Sequence, residues 1–385
     1  MGRDNGGVTP AFGVYVHIPF CSTRCDYCDF ATWTDREHLI DDYVDACVRD
    51  VGRQILAPAT SVFFGGGTPS LIPAQGLTRI LDAIDRVAGA EVTVECNPDS
   101  IDLEKLRQYH EAGVNRVSFG VQSMRAHVLA SLGRTHDPAN VEHAVESARA
   151  AGFDRINLDV IYGTPGESVA DWEATLDAAL ALEPEHVSAY ALTVEAGTPL
   201  GKAVAAGERP APDDDDQARK YELADDRFAA AGLGWYEISN WARPGGECRH
   251  NLLYWAQGDY AAVGCAAHGH TSGRRWWNVR TPDRYIAAIA AGESAESADE
   301  VLDAATREGE WLTLGIRTSG GIKLDALPVD SPGVAQTLDD LDHAGLLDSR
   351  AGRVVLTRRG RLLANEVTAR LLLALEQPVA PAGTR

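Results

Sequence analysis

Residues 15–28 read YVHIPFCSTRCDYC, a short apolar run followed at once by three closely spaced cysteines. Cys21 and Cys25 are separated by three residues, and Cys25 and Cys28 by two. The β-type residues at 14–18 predict a strand that ends just ahead of the first cysteine. In α/β folds with parallel strands, ligands bind at the carboxyl ends of the strands. The three thiols therefore stand where such a fold would place its functional site.

The residues after this segment repeat a pattern of strand and helix. Further strands are predicted at 62–64, 92–95, 117–119, 156–160 and 187–192, with helical periodicity between them at 39–56, 77–87, 141–151 and 169–182. Ser168 and Asp171 suit a capping box at the start of the last of these helices. Six strands alternating with helices predict an α/β fold with right-handed βαβ units and a parallel sheet. The sheet could be open and doubly wound, or a whole or partial barrel.

The alternation ends near residue 192. A Pro- and Asp-rich loop at 207–217 precedes a predicted helix at 218–231 and a strand at 235–239. A helix at 334–344, a turn and hairpin at 345–356 and a second helix after it predict a small winged-helix-like domain. The predicted organisation is a disordered N-terminus (1–12), a barrel domain (13–245), a connecting region (246–300) and the C-terminal domain (301–385).

The overall charge argues against nucleic acid as a partner. The 385 residues contain 56 acidic and 35 basic side chains, a formal net charge of −21, and such a field repels phosphate backbones. The basic doublets at 274–275 and 358–359 are isolated and are interpreted as solvated surface. The first dozen residues lack a signal-peptide core, and no apolar run is long enough for a membrane span. With seven cysteines, an odd number, the expected compartment is the reducing cytoplasm.

The cysteine spacing indicates an iron–sulfur cluster. Cysteine thiolates hold such clusters, usually four of them, and three nearby thiolates would leave one iron open to another ligand. The alternatives are a zinc knuckle or three unrelated buried cysteines; a zinc site would need a fourth Cys or His at matching spacing, and none lies near in the sequence. Cys21, Cys25 and Cys28 are therefore predicted to ligate a [4Fe–4S] cluster.

Polar and glycine residues recur at the ends of the predicted strands. The second strand closes with GGGTP at 65–69, which alone could be a phosphate cradle or a tight turn and lacks the Gly-Lys-Ser/Thr of a P-loop. The later strand ends and their loops carry Glu95, Gln122, Arg134 and Asp159. Because parallel strands end at one edge of the sheet, these residues are expected to form a ring of polar groups.

The C-x3-C-x2-C motif after a first strand, with Tyr27 before its last cysteine, resembles the radical S-adenosylmethionine (SAM) superfamily. The resemblance implies a partial (β/α)6 barrel in which SAM chelates the open iron and is split to a 5′-deoxyadenosyl radical. It also implies that aromatic, loop and strand-end residues bind SAM. Tyr15 and Tyr27 would flank SAM, and Gly66, Gly67 and Thr68 would receive its amino group. Glu95, Gln122 and Arg134 would contact its ribose and carboxylate. Asp159 would bind the ribose hydroxyls, and Ala191 would lie near the adenine.

Within the superfamily, residues 13–200 resemble the group of oxygen-independent coproporphyrinogen III oxidases and HemW-type heme chaperones. The matching segments include YVHIPFC, FFGGGTPS, RVSFGVQS, LGRTH and NLDVIYGTPGES. The oxidases carry a further cysteine two residues after the third ligand, where this sequence has Phe30. The segment HNLLYW at 250–255 resembles the HNxxYW motif of the chaperones. The resemblance therefore implies heme as a further ligand.

His250 is the candidate heme ligand in that motif, because a neutral imidazole binds heme iron well. His268, His270 and Cys265 compete for this role, and their segment AVGCAAHGH departs from the family's Gly-x-Gly-Ala-His-Ser. In the alternative interpretation, His250 and Asn251 bond to loop backbone, while Tyr254 and Trp255 fill core.

The favoured functional hypothesis is a heme chaperone that binds heme and delivers it to apo-proteins, which could be membrane-associated. The resemblance also implies an electron donor such as flavodoxin or ferredoxin. The alternative is an oxygen-independent coproporphyrinogen III oxidase of porphyrin biosynthesis. Radical SAM modification of tRNA is a third class, which the net charge of −21 argues against.

Overall fold

Six parallel strands form the centre of the fold. The structure is a computed structural model that describes residues 11–54, 56–134 and 136–376. Most of the N-terminus predicted to be disordered (1–12) lies outside these residues. The strands are β1 (Phe12–Ile18), β2 (Ala59–Gly66), β3 (Arg86–Cys96), β4 (Arg116–Gln122), β5 (Ile156–Tyr162) and β6 (His186–Ala191). They lie side by side in chain order, each parallel to the next. The predicted α/β fold with a parallel sheet is confirmed.

Helices connect the successive strands. They are α1 (Ile40–Arg53), α2 (Ala74–Ala83), α3 (Leu103–Glu111), α4 (Ala126–Ser131), α5 (Pro138–Ala150) and α6 (Val169–Ala181), with α7 (Pro199–Ala205) and α8 (Asp214–Ala230) after β6. Ser168 and Asp171 form the predicted capping box of α6. The aspartates at 213–216 begin α8, where Asp213 accepts a bond from the backbone N–H of Asp216 and the acidic side chains favour the positive helix terminus.

The central strands are buried because helices cover the sheet. Val14, Val16 and Ile18 of β1 are fully buried, as are Val62 and Phe64 of β2. Such nearly continuous apolar runs are typical of parallel strands that are covered on both faces. Their burial leaves the carboxyl ends of the strands as the place where polar side chains collect.

Further strands extend the sheet on both sides. Beyond β6 lie β7 (Gly234–Glu237) and β8 (Asn240–Ala242). Beyond β1 lie β9 (Asp259–Val263), β10 (His268–Thr271), β11 (Arg274–Asn278) and β12 (Glu296–Val301). The helix α9 (Arg249–Trp255) precedes β9 in the chain, and α10 (Pro282–Ala291) lies between β11 and β12. The twelve strands run β12-β11-β10-β9-β1-β2-β3-β4-β5-β6-β8-β7. The region predicted to be a connection therefore adds four strands next to β1.

The C-terminal residues build a second, smaller core. Its helices are α11 (Ala304–Gly315), α12 (Pro332–His343), α13 (Arg358–Leu362) and α14 (Ala364–Glu376), and its sheet has the order β13 (Ile322–Lys323), β15 (Arg353–Leu356), β14 (Leu347–Arg350). Leu312, Leu341, Val354 and Val367 meet in its interior. The predicted succession of helix, hairpin and helix is present, while the domain boundaries at 245 and 300 remain predictions.

None of the helices within the described ranges combines the length and the apolar character needed to cross a bilayer.

Candidate functional site

The loop that carries the three cysteines is tied to the sheet at both of its ends. The backbone N–H of Cys21 donates to the carbonyl of Trp33 at 3.1 Å, which closes the base of the loop. The N–H of Gly67 donates to the carbonyl of Ile18 at 2.8 Å and so joins the glycine loop of β2 to the end of β1. The cysteine and glycine loops therefore stand side by side at the carboxyl edge of the sheet.

The three thiols face a single cavity of about 530 Å³, which we call the cluster cavity. Cys21 has the hydroxyl of Thr68 at 3.6 Å from its sulfur, and Cys25 has Nη1 of Arg134 at 3.6 Å. Burial raises the pKa of the Cys21 and Cys28 thiols. Without a metal these two thiols would stay protonated at neutral pH, and iron would convert them to thiolates.

The donor set fits an iron–sulfur cube better than a single ion. Among the residues described, no three His, Cys, Asp or Glu side chains converge closely enough to hold one metal ion. A [4Fe–4S] cube needs a different arrangement, because each thiolate binds a separate iron at a separate corner. Three thiols spread along the wall of one cavity meet that requirement.

The cluster cavity also collects most of the residues that the resemblance assigns to SAM. Besides the cysteines it is lined by Tyr27, Gly66, Gly67, Thr68, Glu95, Gln122, Arg134, Asp159 and Ala191. Gln122 ends β4 with a φ of 62°, a left-handed conformation that is uncommon outside glycine and that turns the chain into the cavity. Tyr15 lies elsewhere: its hydroxyl bonds to Nδ1 of His17 at 3.1 Å, and it lines a second cavity.

Arg134 and Glu95 each have hydrogen-bonding groups that a ligand could use. Arg134 donates from Nη2 to the carbonyl of Gly120 at 2.6 Å, but its buried Nε has no hydrogen-bond partner within the described part of the chain. Glu95 accepts from the backbone N–H of Gly66 at 3.2 Å, and burial, with the charge of Asp159, raises the pKa of Glu95 to about 8. A bound ammonium group would favour the ionised carboxylate, and a bound carboxylate would use the free N–H. The pair fits an amino-acid moiety such as that of SAM.

The second cavity, which we call the β10 cavity, has a volume of about 910 Å³. Asp29, Phe30, Gly66 and Glu95 line both cavities, so the two adjoin at the end of β2. The remaining wall is rich in aromatic rings, histidines and arginines, including Tyr15, His17, Tyr254, Tyr260, His268, His270, Arg275, Trp277 and Arg280. A large, mostly apolar cavity with a few polar groups is typical of a small-molecule site.

Strand β11 contributes Arg275 and Trp277 to this wall, and neither is predicted from the sequence to belong to a site. The sequence predicts that the doublet at 274–275 is solvated surface, but Arg275 lines the cavity and pairs with Glu300 and Glu310, each at 2.8 Å. That interpretation is corrected by the structure for Arg275. The run RRWW at 274–277 was the available signal, since two adjacent tryptophans are rarely both surface residues.

His250, the candidate heme ligand, lies in neither cavity. It is 1% exposed at the start of α9, and its ring stacks on Phe63. Its Nδ1 bonds to the hydroxyl of Ser61 at 2.9 Å and its Nε2 to the hydroxyl of Tyr254 at 2.8 Å. In this arrangement neither ring nitrogen is open to an iron atom. The HNxxYW segment instead fixes Tyr254 in the wall of the β10 cavity.

The buried ring of His250 gives stability a pH dependence. Burial lowers the pKa of His250 to about 4, so protons bind the unfolded chain first, from about pH 6.5 downward. The neutral ring of His250 makes its full contribution to the free energy of unfolding above pH 6.5. That contribution is lost as the pH falls toward 4. Between pH 7 and pH 5.5 we expect wild type to lose about 1 kcal/mol relative to His250→Gln, which does not titrate. Urea unfolding of both proteins at the two pH values measures this; equal losses would contradict it.

The turn between β9 and β10 departs from the family pattern at a strained position. Gly264 has a φ of 96°, and a side chain there would meet the hydroxyl of Tyr43 at 2.5 Å. Ala266 follows with a φ of 54°, although it carries a Cβ. The left-handed region costs a non-glycine residue about 1–2 kcal/mol, so this segment stores strain beside the cavity.

We therefore expect Ala266→Gly to stabilise the protein by about 0.5–1 kcal/mol, because relief of the strain outweighs the added freedom of the unfolded chain. Ala267→Gly, one residue on and without positive φ, is the control and should destabilise by a similar amount. Chemical unfolding of the two variants measures both changes. A loss of stability in Ala266→Gly would show that the turn is not strained.

Comparison with known proteins agrees with the geometry. Residues 15–179 match the Radical SAM superfamily. The chain is 44% identical over 376 residues to the heme chaperone HemW of Mycobacterium tuberculosis (strain ATCC 25618 / H37Rv), covering 94% of this chain and 95% of that protein. It is 36% identical over 374 residues to HemW of Bacillus subtilis (strain 168), covering 92% and 97%.

A solved structure shows the same fold. Coproporphyrinogen III oxidase (HemN) from Escherichia coli, a radical SAM enzyme, superposes with a TM-score of 0.81 at 21% identity, covering 94% of this chain and 90% of that one. At this identity the likeness supports the fold alone. The two relatives with HemW names match this chain over more than nine-tenths of its length, and the three cysteines and the glycine loop lie within the residues 15–179 that match the superfamily. The chain belongs to the HemW family of radical SAM proteins.

Proposed function

We propose that this protein binds heme in the β10 cavity and delivers it to apo-proteins, while the cluster cavity holds a [4Fe–4S] cluster and SAM. The relatives described above are heme chaperones by name. The observation that carries the proposal is the adjoining pair of cavities, one with three thiols and one with aromatic rings, histidines and arginines. A porphyrin is a flat apolar ring with a central metal and two carboxylates, and the second wall offers a partner for each part.

In the cluster cavity we assign the cluster to Cys21, Cys25 and Cys28. When bound, the cluster and SAM together supply a 5′-deoxyadenosyl radical. The residues of this chain would position and shield SAM, with Arg134 at its carboxylate. The buried carboxyl of Glu95, which the resemblance assigns to the ribose and carboxylate, is better suited to the ammonium group beside the glycine loop. Gly66 and Gly67 allow close approach of the backbone. Gln122, Asp159 and Ala191 reach the nucleoside from the next strand ends, and Tyr27 closes the side.

The adjoining cavities suggest why a carrier would keep a cluster. Gly66 and Glu95 line both spaces, so a ligand in one changes the surroundings of the other. Occupancy of the cluster cavity would thereby bias how heme sits in the β10 cavity, a supporting or gating role. This coupling requires only contact between the ligands through the shared wall.

The partners follow from the same arrangement. Heme-accepting apo-proteins, membrane-associated ones among them, would dock near the open side of the β10 cavity. An electron donor such as flavodoxin or ferredoxin would approach the cluster loop, where Ser22, Thr23 and Arg24 are exposed. We propose a cytoplasmic location, in which the thiols stay reduced.

The direct experiment is heme uptake by anaerobically reconstituted protein. We expect one heme per chain, a Soret band that differs from that of free heme, and loss of the band when an excess of a heme-accepting apo-protein is added. The same acceptor protein already loaded with heme is the control, because it has no free site and should leave the band unchanged. Failure of the reconstituted, folded protein to bind heme would overturn the proposal.

Oxidation of coproporphyrinogen is the second candidate, because the adjoining cavities would let a radical formed in one reach a porphyrin in the other. Phe30 stands where the oxidases carry an additional cysteine. We expect no protoporphyrinogen from coproporphyrinogen in an anaerobic assay with SAM and a reductant. Product formed at more than one turnover would favour the enzyme.

A further inference from the structure

One face of the antiparallel strands β9–β11 forms a wall of the β10 cavity. Strand residues two apart share a face, so His268 and His270 point the same way from β10. Their partners across the ladder are Trp277 and Arg275 of β11, and directly opposed residues share a face as well. Tyr260 of β9 stands opposite His270. All five residues line the β10 cavity.

The two histidines of β10 keep ring nitrogens open. His270 is 7% exposed, and its Nδ1 bonds to the carbonyl of Gly258 at 2.9 Å. This bond, with Oδ1 of Asp259 3.6 Å from the same nitrogen, fixes the ring, and Nε2 forms no hydrogen bond with the described residues. Metal-binding histidines are commonly oriented in this way by a backbone carbonyl. His268 is exposed to the cavity, lies 5.9 Å from the Trp277 ring, and bonds through neither nitrogen to any described residue.

The other candidate iron ligands are engaged elsewhere. Both nitrogens of His250 and both of His17 are hydrogen-bonded, the latter to Tyr15 and to the carbonyl of Ala31. Cys265 is fully buried outside the cavity, with its sulfur 3.6 Å from the hydroxyl of Tyr43.

The cavity is also lined by an arginine that has no acidic partner among the described residues. Arg275 pairs with Glu300 and Glu310, so its guanidinium is already used. Arg280 lines the same cavity, is exposed to solvent, and forms no ion pair or hydrogen bond with the residues that the structure describes. In a chain with a net charge of −21, a free guanidinium in a cavity is a suitable partner for a carboxylate ligand.

We propose that heme iron is ligated from β10, by a histidine of the pair His268 and His270, and that Arg280 binds a heme propionate. The inference rests on the proposed function and deepens it. Trp277 and Tyr260 flank the ligand on the same face, and His250 acts only by positioning Tyr254. The iron therefore sits in the β10 cavity and not at the HNxxYW motif.

The test uses the double variant His268→Ala/His270→Ala, titrated with ferric heme after reconstitution of the cluster. We expect the histidine-ligated spectrum to vanish, heme affinity to fall at least tenfold, and added imidazole to restore the spectrum. The two single variants then show which ring carries the ligand. His127→Ala, a surface histidine outside both cavities, is the matched control and should behave as wild type.

Arg280→Gln tests the propionate contact. We expect it to bind heme two- to fivefold more weakly than wild type, in the range of a partly exposed ion pair, and to bind heme dimethyl ester no more weakly than wild type does. Equal weakening for both ligands would remove Arg280 from the proposal.

These measurements distinguish a failure of heme binding itself from a failure of iron ligation by β10. A wild-type protein that takes up no heme overturns the proposed function itself. If wild type binds heme and the folded, cluster-containing double variant keeps the same histidine-ligated spectrum, only the ligation from β10 is overturned. Loss of that spectrum in His250→Gln, with the double variant unaffected, would return the iron to the HNxxYW motif.

Discussion

Cys25→Ala will leave a folded protein that cannot hold its iron–sulfur cluster. The thiol of Cys25 is one of three in the cluster cavity, and a cube gripped by two thiolates loses the arrangement that leaves a single corner open. We expect the bound iron and sulfide of the reconstituted variant to fall to background, together with the cluster absorbance. SAM binding should be lost with it, since SAM is expected to bind the open iron.

Cys47→Ala is the matched control for this experiment. Cys47 lies on the buried face of α1, outside both cavities, so its replacement removes a thiol and leaves the site intact. It should keep full iron and sulfide at a modest cost in stability. A Cys25→Ala protein with wild-type cluster content would show that this cysteine is not a ligand.

Gly66→Ala will destabilise the protein and abolish SAM binding. Gly66 has a φ of 112°, and a Cβ there would overlap the ring of His17. That ring cannot move aside easily, because Tyr15 and the carbonyl of Ala31 hold both of its nitrogens. Backbone strain of about 1–2 kcal/mol and overpacking of about 1–3 kcal/mol should together lower the free energy of unfolding by about 2–5 kcal/mol.

Gly89→Ala separates the two contributions. Gly89 also has a positive φ, 73°, but a Cβ at this position meets nothing within 4 Å. It should therefore cost only the backbone strain and leave SAM binding unchanged. Chemical unfolding and calorimetric titration with SAM give both quantities for each variant. If the two variants lost equal stability and both bound SAM, the close packing at the end of β2 would have no role.

The six parallel strands could be predicted from the sequence because their interiors are continuous apolar runs, such as VFF at 62–64 in β2. The antiparallel strands β11 and β12 could not. All six residues of β12 are exposed, and ion pairs join it to β11, including Arg274 with Glu296 and Asp299. Because pairs of opposite charges join the two strands, neither strand shows the alternation of apolar and polar residues by which a strand is recognised in a sequence. The buried parallel strands at the centre of the sheet can therefore be predicted from the sequence, whereas β11 and β12 at its exposed edge cannot.

The site residues likewise fall into a group whose proximity can be predicted from the sequence and a group whose contacts cannot. The residues of the cluster cavity follow strand ends, and the topology of a parallel sheet brings strand ends together, so their meeting could be predicted. The state of His250 could not be predicted, because its partner Ser61 lies 189 residues away and no local pattern records that contact. The motif HNxxYW indicated a heme role without showing that its histidine is buried. A free Nε2 on His270 is likewise visible only in three dimensions.

The central claim is that one chain holds a cluster and a heme in adjoining cavities. The most direct measurement is the microwave power saturation of the reduced cluster's EPR signal, with and without one equivalent of heme, under excess dithionite, where a ferrous heme with one histidine ligand is high-spin and therefore paramagnetic. We predict that heme speeds the relaxation of the cluster signal in wild type and not in the His268→Ala/His270→Ala variant. A cluster signal whose saturation is unchanged when wild type has bound heme would contradict the account.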